Sequence, residues 1–500
     1  MGKSIAELFS FSSILLTGFS GLVGKCLVWK LLKTVPKLQN IYVLVRGSKK
    51  EPDAKKRFEQ LLNMFPLNEL DSNLKNKIVL LEGDMSTNFG KFNGVLSPHS
   101  GVDIVIHAAS SVNFDESIIS SIESNVVGCK NLLDFCKSIL KPKLFVYIST
   151  AYAHTEQGYK QTETIFPLNE KAEDIIQAFK WMSPEMGEAL QPYLLKRSPN
   201  SYTYSKAMAE NYLQGEIDLR SCPFPVAIVR PTIIGAALNE PQPGFIDNMN
   251  AITGAFCAGM YGIWKLNTFD PRINFDCIPV DLCVNGIIAT CAYCLDKLLE
   301  IESPFIVHLA TGTENPCSFG VWPAIQKESA AALPIENSIR YPRVFQVKPC
   351  MEPILRLVYQ DFYVAFYDLI LKLCGSKFRL RRITNKMLHF FKASGYFIRN
   401  EWKWEQTSFN KVRNFLRQMD QKDQQQFTLD YSVIKWDEYY FSYFSGVKKY
   451  ILKESLTDMS KARSRQRFLL FMMYFGEPLV LILFCLTVFY TTKIICETLF

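Results

Sequence analysis

Three groups of residues, in one order along the chain, can do chemistry together. Thr17-Gly18-Phe19-Ser20-Gly21-Leu22-Val23-Gly24 spaces its glycines three apart, Ser149-Thr150 offers two hydroxyls, and Tyr202 precedes Lys206 by four residues. A dinucleotide pyrophosphate binds backbone N–H groups at a helix N-terminus, so Gly18, Gly21 and Gly24 are read as keeping side chains out of its way. On a helix, a spacing of four puts Tyr202 and Lys206 on one face. There Lys206 is expected to lower the pKa of the Tyr202 phenol and to hold a ribose, while Thr150, with Ser149 beside it, binds a substrate oxygen. Asn125 is read as orienting Lys206 through water. The chemistry implied is hydride transfer with a nicotinamide dinucleotide.

The Tyr-x-x-x-Lys spacing alone decides nothing, because it also starts at Tyr261, Tyr293 and Tyr431. Only Tyr202 follows a strand ending in Ser149-Thr150, sits on a helical run from Tyr204 to Ile217, and precedes the strand leading into Arg230-Pro231. The position where an acid usually holds the ribose 2′-hydroxyl is occupied by Arg46, with Lys49 and Lys50 nearby; a cation there suits the 2′-phosphate of NADP(H). His107-Ala108-Ala109-Ser110 supplies the small residues that let a chain lie flat beneath the ribose and nicotinamide, and His107 is expected to pack beside the glycine loop.

The elements that must position these groups read as short apolar runs alternating with helices: 12–17, 41–45, 78–81, 104–106, 144–148 and 226–229. Strands covered on both faces look like this, so the fold class is α/β, a doubly wound parallel Rossmann-type sheet. Prolines punctuate 311–350, which reads as a connector, and the chain then turns helical and aromatic. The expected organisation is a dinucleotide-binding reductase domain over 10–310, the connector 311–350, a helical C-terminal domain over 351–452, and a membrane anchor over 468–492.

Composition narrows the class further. A net charge of +8 spread over 500 residues gathers no long basic arm, so nucleic acid is excluded as a first reading. The 14 cysteines show no framework spacing, and Cys291 and Cys294 read as a buried helix face; with only five histidines, no metal site is expected. From Phe468 to Thr492 the only charge is Glu477, beside Pro478, which gives enough apolar length to cross a bilayer. A hairpin turning at Glu477-Pro478 is the alternative to one span. Lys461, Arg463, Arg465 and Arg467 precede this stretch and Lys493 follows it, an asymmetry that sets the large N-terminal part on the cytosolic side. The last residues carry neither an endoplasmic reticulum nor a peroxisomal address, so either membrane is open.

These residues resemble an extended short-chain dehydrogenase/reductase and, more narrowly, the alcohol-forming fatty acyl-CoA reductase family. The resemblance lies in Thr17 to Lys25, Val45-Arg46, Glu82-Gly83-Asp84, His107 to Phe114, Asn125 to Gly128, Ile148 to Tyr152, Tyr202 to Lys206 and Arg230 to Ile233. Pro243-Gly244-Phe245-Ile246-Asp247-Asn248, Ile278 to Asp281 and the tail ending in Ile434 to Tyr439 make it specific. It implies Tyr202, Lys206, Thr150, Ser149 and Asn125 as catalytic residues. It places the cofactor on Thr17, Gly18, Ser20, Gly21, Leu22, Val23, Gly24, Arg46, Asp84, Ala108, Ala109 and Pro231, with Tyr202 and Lys206, and Asp84 toward the adenine. The implied reaction takes a long-chain acyl-CoA to a primary alcohol with two NADPH, beside the bilayer that anchors the protein; oligomeric state is left open. A membrane-bound steroid-type hydroxyl dehydrogenase is the alternative. Phe179, Trp181, Met182, Met186, Leu190, Tyr193 and Leu194, between Thr150 and Tyr202, are expected to form an apolar lid.

Overall fold

The structure is a computed structural model, and it describes residues 4–86, 96, 101–196 and 198–499. Apolar runs of five or six residues close into β1 (Ser13–Thr17), β2 (Ile41–Val45), β3 (Ile78–Glu82), β4 (Val102–His107), β5 (Leu144–Ile148), β6 (Val226–Pro231) and β7 (Phe305–Leu309). They form one sheet in the order β7-β6-β5-β4-β1-β2-β3. Every pairing is parallel, as in Leu16 beside Val43 and Ile106 beside Val146.

Period-two burial explains why these strands are apolar throughout. Leu15, Val105, Phe145, Tyr147 and Ile228 pack with Tyr204, Met208 and Tyr212 of the helix Ser201–Asp218. The intervening Ile14, Leu16, Ile104, Ile106 and Val146 are equally buried on the other face. The helix after β1, α1, spans Leu22–Thr34, and the helix carrying Tyr202 and Lys206, α2, is Ser201–Asp218, capped by Asn200, whose side chain accepts from Thr203 N. Helix α3 (Val280–Asp296) packs against α1 and buries Cys291 and Cys294 as read from the sequence. The seventh strand, β7, was not among the runs expected to be strands.

The chain forms two compact units, and these interleave along the sequence. The first takes Met1–Pro243, Phe275–Cys317 and Asn400–Ile434; the second takes Gly244–Asn274, Ser318–Arg399 and Lys435–Phe500. This grouping differs from the expected boundaries at three places: 244–274 leaves the reductase region, 400–434 leaves the helical tail, and the connector 311–350 is divided after Cys317. The physical reason lies in side-chain partners. Trp404 Nε1 donates to the buried Asp276 at 2.7 Å, and Asn315 Nδ2 donates to the carbonyls of Tyr431 and Ile434 at 3.0 and 2.8 Å.

The second unit is helical and aromatic, with α4 (Phe362–Leu373), α5 (Leu380–Ala393), α6 (Trp436–Gly446) and α7 (Glu477–Leu499). Phe256 stacks on Phe444 at 4.5 Å and meets Tyr443 edge-on at 5.0 Å. The Pro-Gly-Phe element earns its glycine here. Gly244 has φ +76°, and a Cβ on it would lie 2.1 Å from the Ser442 carbonyl oxygen. Residues 460–494 form one continuous helix, long and apolar enough to cross a membrane. It passes Glu477-Pro478 without reversing: Pro478 falls in the first turn of α7, just after a π turn at Met472–Gly476.

Candidate active site

Strand order reverses between β1 and β4, so the chain leaves their C-terminal ends in opposite directions and opens a crevice there. Thr17 closes β1. Its hydroxyl shares a 2.8 Å hydrogen bond with His107 Nδ1 and accepts Ala109 N–H at 3.2 Å. The Thr17 side chain is therefore occupied in holding the floor formed by Ala108 and Ala109. Burial, with Lys206 nearby, pushes His107 down to about 3, so the ring stays neutral, packed beside the glycine loop as expected.

The three glycines do different work. Gly18 has φ +82°, and a Cβ there would sit 2.6 Å from the Ala108 carbonyl carbon. A Cβ on Gly24 would meet the Gly18 carbonyl oxygen at 2.3 Å. Those two let the loop pack on the end of β4 and on α1. Gly21 is the open one: it caps α1 with no side-chain hydrogen bond, which leaves the first N–H groups of that helix for an anion. Ser20, Leu22 and Val23 belong to this loop and first turn; the Leu22 side chain is buried, so its backbone is what it offers.

At the other end of the crevice Arg46 follows β2 and ion-pairs with Asp84 at 2.7 Å. Burial would raise the Asp84 carboxyl, but Arg46 and Ser86 hydrogen bonds outweigh it and hold the pKa low. The Arg46 side chain is 67% exposed, in an open cleft also lined by Lys55 and Asp84. Asp84 thus restrains the cation.

The reacting edge is built from β5 and α2. Thr150 caps the turn after β5, accepting Tyr152 N–H at 3.3 Å, and lies near enough to the Tyr202 phenol to oppose the rise of its pKa. Ser149 Oγ is buried with no partner among the described residues. Lys206 Nζ donates to the Ile148 carbonyl at 2.7 Å and lies 4.6 Å over the Tyr147 ring. Burial lowers Lys206 to about 8. Burial likewise raises Tyr202 to about 12, with Thr150 opposing. The expectation that Lys206 lowers the Tyr202 pKa is therefore not met: the ammonium is turned to the Ile148 carbonyl, and desolvation of the phenol dominates.

Asn125 is held by protein partners on both sides of its amide. It sits in a π turn, Glu123–Val127. Its Oδ1 accepts from Ser110 Oγ and Ser111 N, both at 2.9 Å, and its Nδ2 donates to Ser205 Oγ at 2.8 Å. It ties the loop after β4 to α2 through the residue next to Lys206, without touching Lys206. Pro231 ends β6, buried and paired with Leu309. The segment between Thr150 and Tyr202 splits: Phe179 and Leu194 belong to the core of the sheet unit, while Trp181, Met186 and Tyr193 are exposed.

Sequence reasoning missed the group behind the site. Glu210, one turn beyond Lys206, accepts from Arg230 Nε at 3.0 Å and Nη2 at 2.6 Å, and pairs with His154 Nε2 at 2.9 Å. Burial would raise Glu210; Arg230 and His154 overcome it and hold the carboxyl well below the usual range. Arg230 also donates to the carbonyls of Thr162 and Thr164 at 3.1 and 2.9 Å. The available signal was an i to i+4 acid after Lys206 and an arginine inside an apolar strand.

These features fit a nicotinamide dinucleotide: uncapped N–H groups at α1, a glycine-only approach of the loop to Ala108, and an unpartnered Ser149 hydroxyl near Lys206. Known proteins agree. The NAD-binding model of the male sterility protein family matches residues 16–287, and its second model matches 359–454. Fatty acyl-CoA reductase 2 of Mus musculus is 32% identical over 93% of this chain and 89% of its own, and the Homo sapiens protein of that name is 30% identical over the same shares. Fatty acyl-CoA reductase 1 of Rattus norvegicus is 29% identical over 92% and 88%. Among solved structures, the reductase domain of a non-ribosomal peptide synthetase from Mycobacterium tuberculosis shares the fold at TM-score 0.57 and 17% identity, covering 91% of this chain and 94% of that one. Matched by its family model over more than half its length, the chain belongs to the male sterility protein family together with its fatty acyl-CoA reductase relatives, and is an oxidoreductase with a nicotinamide-binding domain.

Proposed function

We propose that this protein reduces a long-chain fatty acyl-CoA to the primary alcohol, releasing CoA and keeping the intermediate aldehyde bound for a second reduction. The observation that carries the reading is Thr150 beside the Tyr202 phenol at the edge of the sheet, with Lys206 one turn further along α2. NADPH, when bound, supplies the hydride for each of the two reductions. The α1 N-terminus behind Gly21 would hold its pyrophosphate, Arg46 its 2′-phosphate, and Lys206 its ribose.

Addition to a thioester carbonyl develops negative charge on oxygen. Tyr202, whose phenol stays protonated at neutral pH, donates to that oxygen, and Thr150 donates beside it; each such donor contributes roughly 3 to 4 kcal/mol as the charge grows. Collapse breaks the carbon–sulfur bond and sends the electron pair out as CoA thiolate. In the second reduction Tyr202 gives its proton to the alkoxide, and solvent restores it.

The anchor belongs to the same proposal. One apolar helix with basic residues before it supports attachment to a membrane with the sheet unit on the cytosolic side, in the endoplasmic reticulum or peroxisome. The test is cofactor oxidation by detergent-solubilised protein given palmitoyl-CoA, with products resolved. Alcohol at two NADPH per CoA released, with NADH much poorer, is expected; aldehyde as the sole product would remove the second step, and turnover of a steroid alcohol with NAD instead would overturn the reading.

A further inference from the structure

One helix of the second unit has the composition of a core element and the exposure of a surface one. The only charges in α4 are Asp368 and Lys372, yet only Tyr363 and Val364 of its 12 residues are buried. Leu369, Ile370 and Leu373 stand open, Leu373 at 78%, and in the helical turns that run into α4 Ile354 and Leu357 do the same at 70% and 63%. The helix runs unbroken from Glu352 through a π turn at Leu357–Asp361 to Leu373, and Glu352, Arg356, Asp361, Asp368 and Lys372 interrupt it too often for a bilayer span. An apolar surface of this kind belongs in a core or in a membrane interface, and this one is not in a core.

Its neighbours indicate which interface. The Phe362 ring lies 4.9 Å from Phe484 of α7, and Tyr363 Oη donates to the Glu477 carbonyl at 2.7 Å. Arg340 grips both Glu477 carboxylate oxygens at 2.7 Å and donates to the Tyr359 carbonyl at 2.6 Å. The start of α4 is thus fixed against the start of α7, just where α7 becomes apolar and exposed on all sides. The one acid of α4 is turned inward: Asp368 accepts the N–H groups of Leu380 and Arg381 at 2.6 and 3.1 Å and caps α5. The turn into α5 and its first turns then carry Lys377, Arg379, Arg381, Arg382 and Lys386.

We propose that α4 lies in the interfacial layer of the bilayer that α7 enters, with Ile354, Leu357, Leu369, Ile370 and Leu373 below the headgroups and the basic start of α5 among anionic lipid phosphates. The proposal rests on reading α7 as the anchor. An apolar surface continuous with a membrane helix, bordered by cations, is what an anionic phospholipid surface recognises. The long cationic stems of Arg381 and Arg382 can cover apolar surface while their heads reach phosphate.

The chain carries its own reporters, since Cys374 ends α4 and Cys485 lies in α7, both exposed. Full-length protein, with Cys350→Ser and Cys496→Ser, would be nitroxide-labelled at Cys374 alone or Cys485 alone, with Leu219→Cys on the sheet unit as the aqueous reference. In phosphatidylcholine vesicles with phosphatidylserine, labels at 374 and 485 should both collide several-fold more with oxygen, relative to a water-soluble nickel chelate, than the label at 219. Arg381→Glu with Arg382→Glu should remove the phosphatidylserine dependence at 374 and leave 485 unchanged. A label at 374 that behaves as 219 does, while 485 stays in lipid, overturns the proposal and spares the anchor; a label at 485 that behaves as 219 does removes the anchor reading itself. Shielding of 374 from both quenchers in a crosslinkable dimer would also overturn it, because a second copy would then cover the patch.

Discussion

Among the described residues each unit buries one arginine–carboxylate pair, and the two pairs are built differently. In the sheet unit, Glu210 is fully buried and meets Arg230 and His154, while the remaining Arg230 N–H groups hold the carbonyls of Thr162 and Thr164. Four stretches of chain converge on one ion pair, one turn behind Lys206. In the helical unit, Arg340 and Glu477 form a two-pronged pair that joins a loop to one helix, and the Glu477 carboxylate keeps some exposure. A buried ion pair is weak evidence for net stability, since desolvation offsets its attraction, but removing one partner strands a charge. The first pair is a hub for backbone placement near the reacting edge; the second pins one point midway along a continuous helix.

The sharpest way to break this comparison is Arg230→Leu. It leaves the buried Glu210 with His154 as its one remaining side-chain partner, and should cost about 3–5 kcal/mol of stability, read as a large fall in thermal midpoint with loss of activity. An unchanged midpoint would show that the hub holds nothing. Tyr202→Phe separates holding from reacting: alcohol formation should fall about 100- to 1,000-fold with the midpoint unmoved, because the phenol's oxygen serves charge that exists only during reaction. Should Tyr202→Phe unfold the protein instead, the assignment of Tyr202 to chemistry would be lost.

Glu477→Gln keeps one acceptor for Arg340 and should cost about 1–3 kcal/mol, confined to the helical unit. Proteolysis around 452–460 should quicken while cofactor binding stays as it was; weaker cofactor binding would mean that this pair also serves the sheet. The smallest effect concerns pH. Lys206 is held near 8 in the folded state, below its ordinary value of 10.5, so its burial costs stability fully below pH 8 and the cost disappears as pH rises from about 8 to 10.5. Lys206→Met should therefore be more stable than wild type at pH 7, with the gap closing across that window. In wild type, cofactor affinity should fall as pH rises past about 8 and the charge is lost.

What could be read from the sequence follows how local each signal was. The strands of 41–45 and 144–148 stand as read, because a five-residue apolar run bounded by turn residues carries its own evidence. The spacing of Tyr202 and Lys206 placed them on one helix for the same reason. β7 escaped because Phe-Ile-Val-His-Leu is the same kind of signal, but it stands next to a proline-rich stretch that reads as a connector. That a side chain on Gly24 would meet the Gly18 carbonyl was not legible, because that contact is made only once the loop has folded. The direction in which Lys206 points, and the pKa that follows, depend on the Ile148 carbonyl fifty-eight residues earlier.

The return of Asn400–Ile434 to the sheet unit has a consequence for how this protein is made and inherited. Synthesis must reach Ile434 before the sheet unit holds all of its parts, so the ribosome releases the complete helical insertion 318–399 before the unit that surrounds it in sequence can finish. The last piece of the sheet unit still emerges ahead of Glu477, the start of the apolar helix. No single genetic crossover can exchange one unit between two such chains and leave both whole.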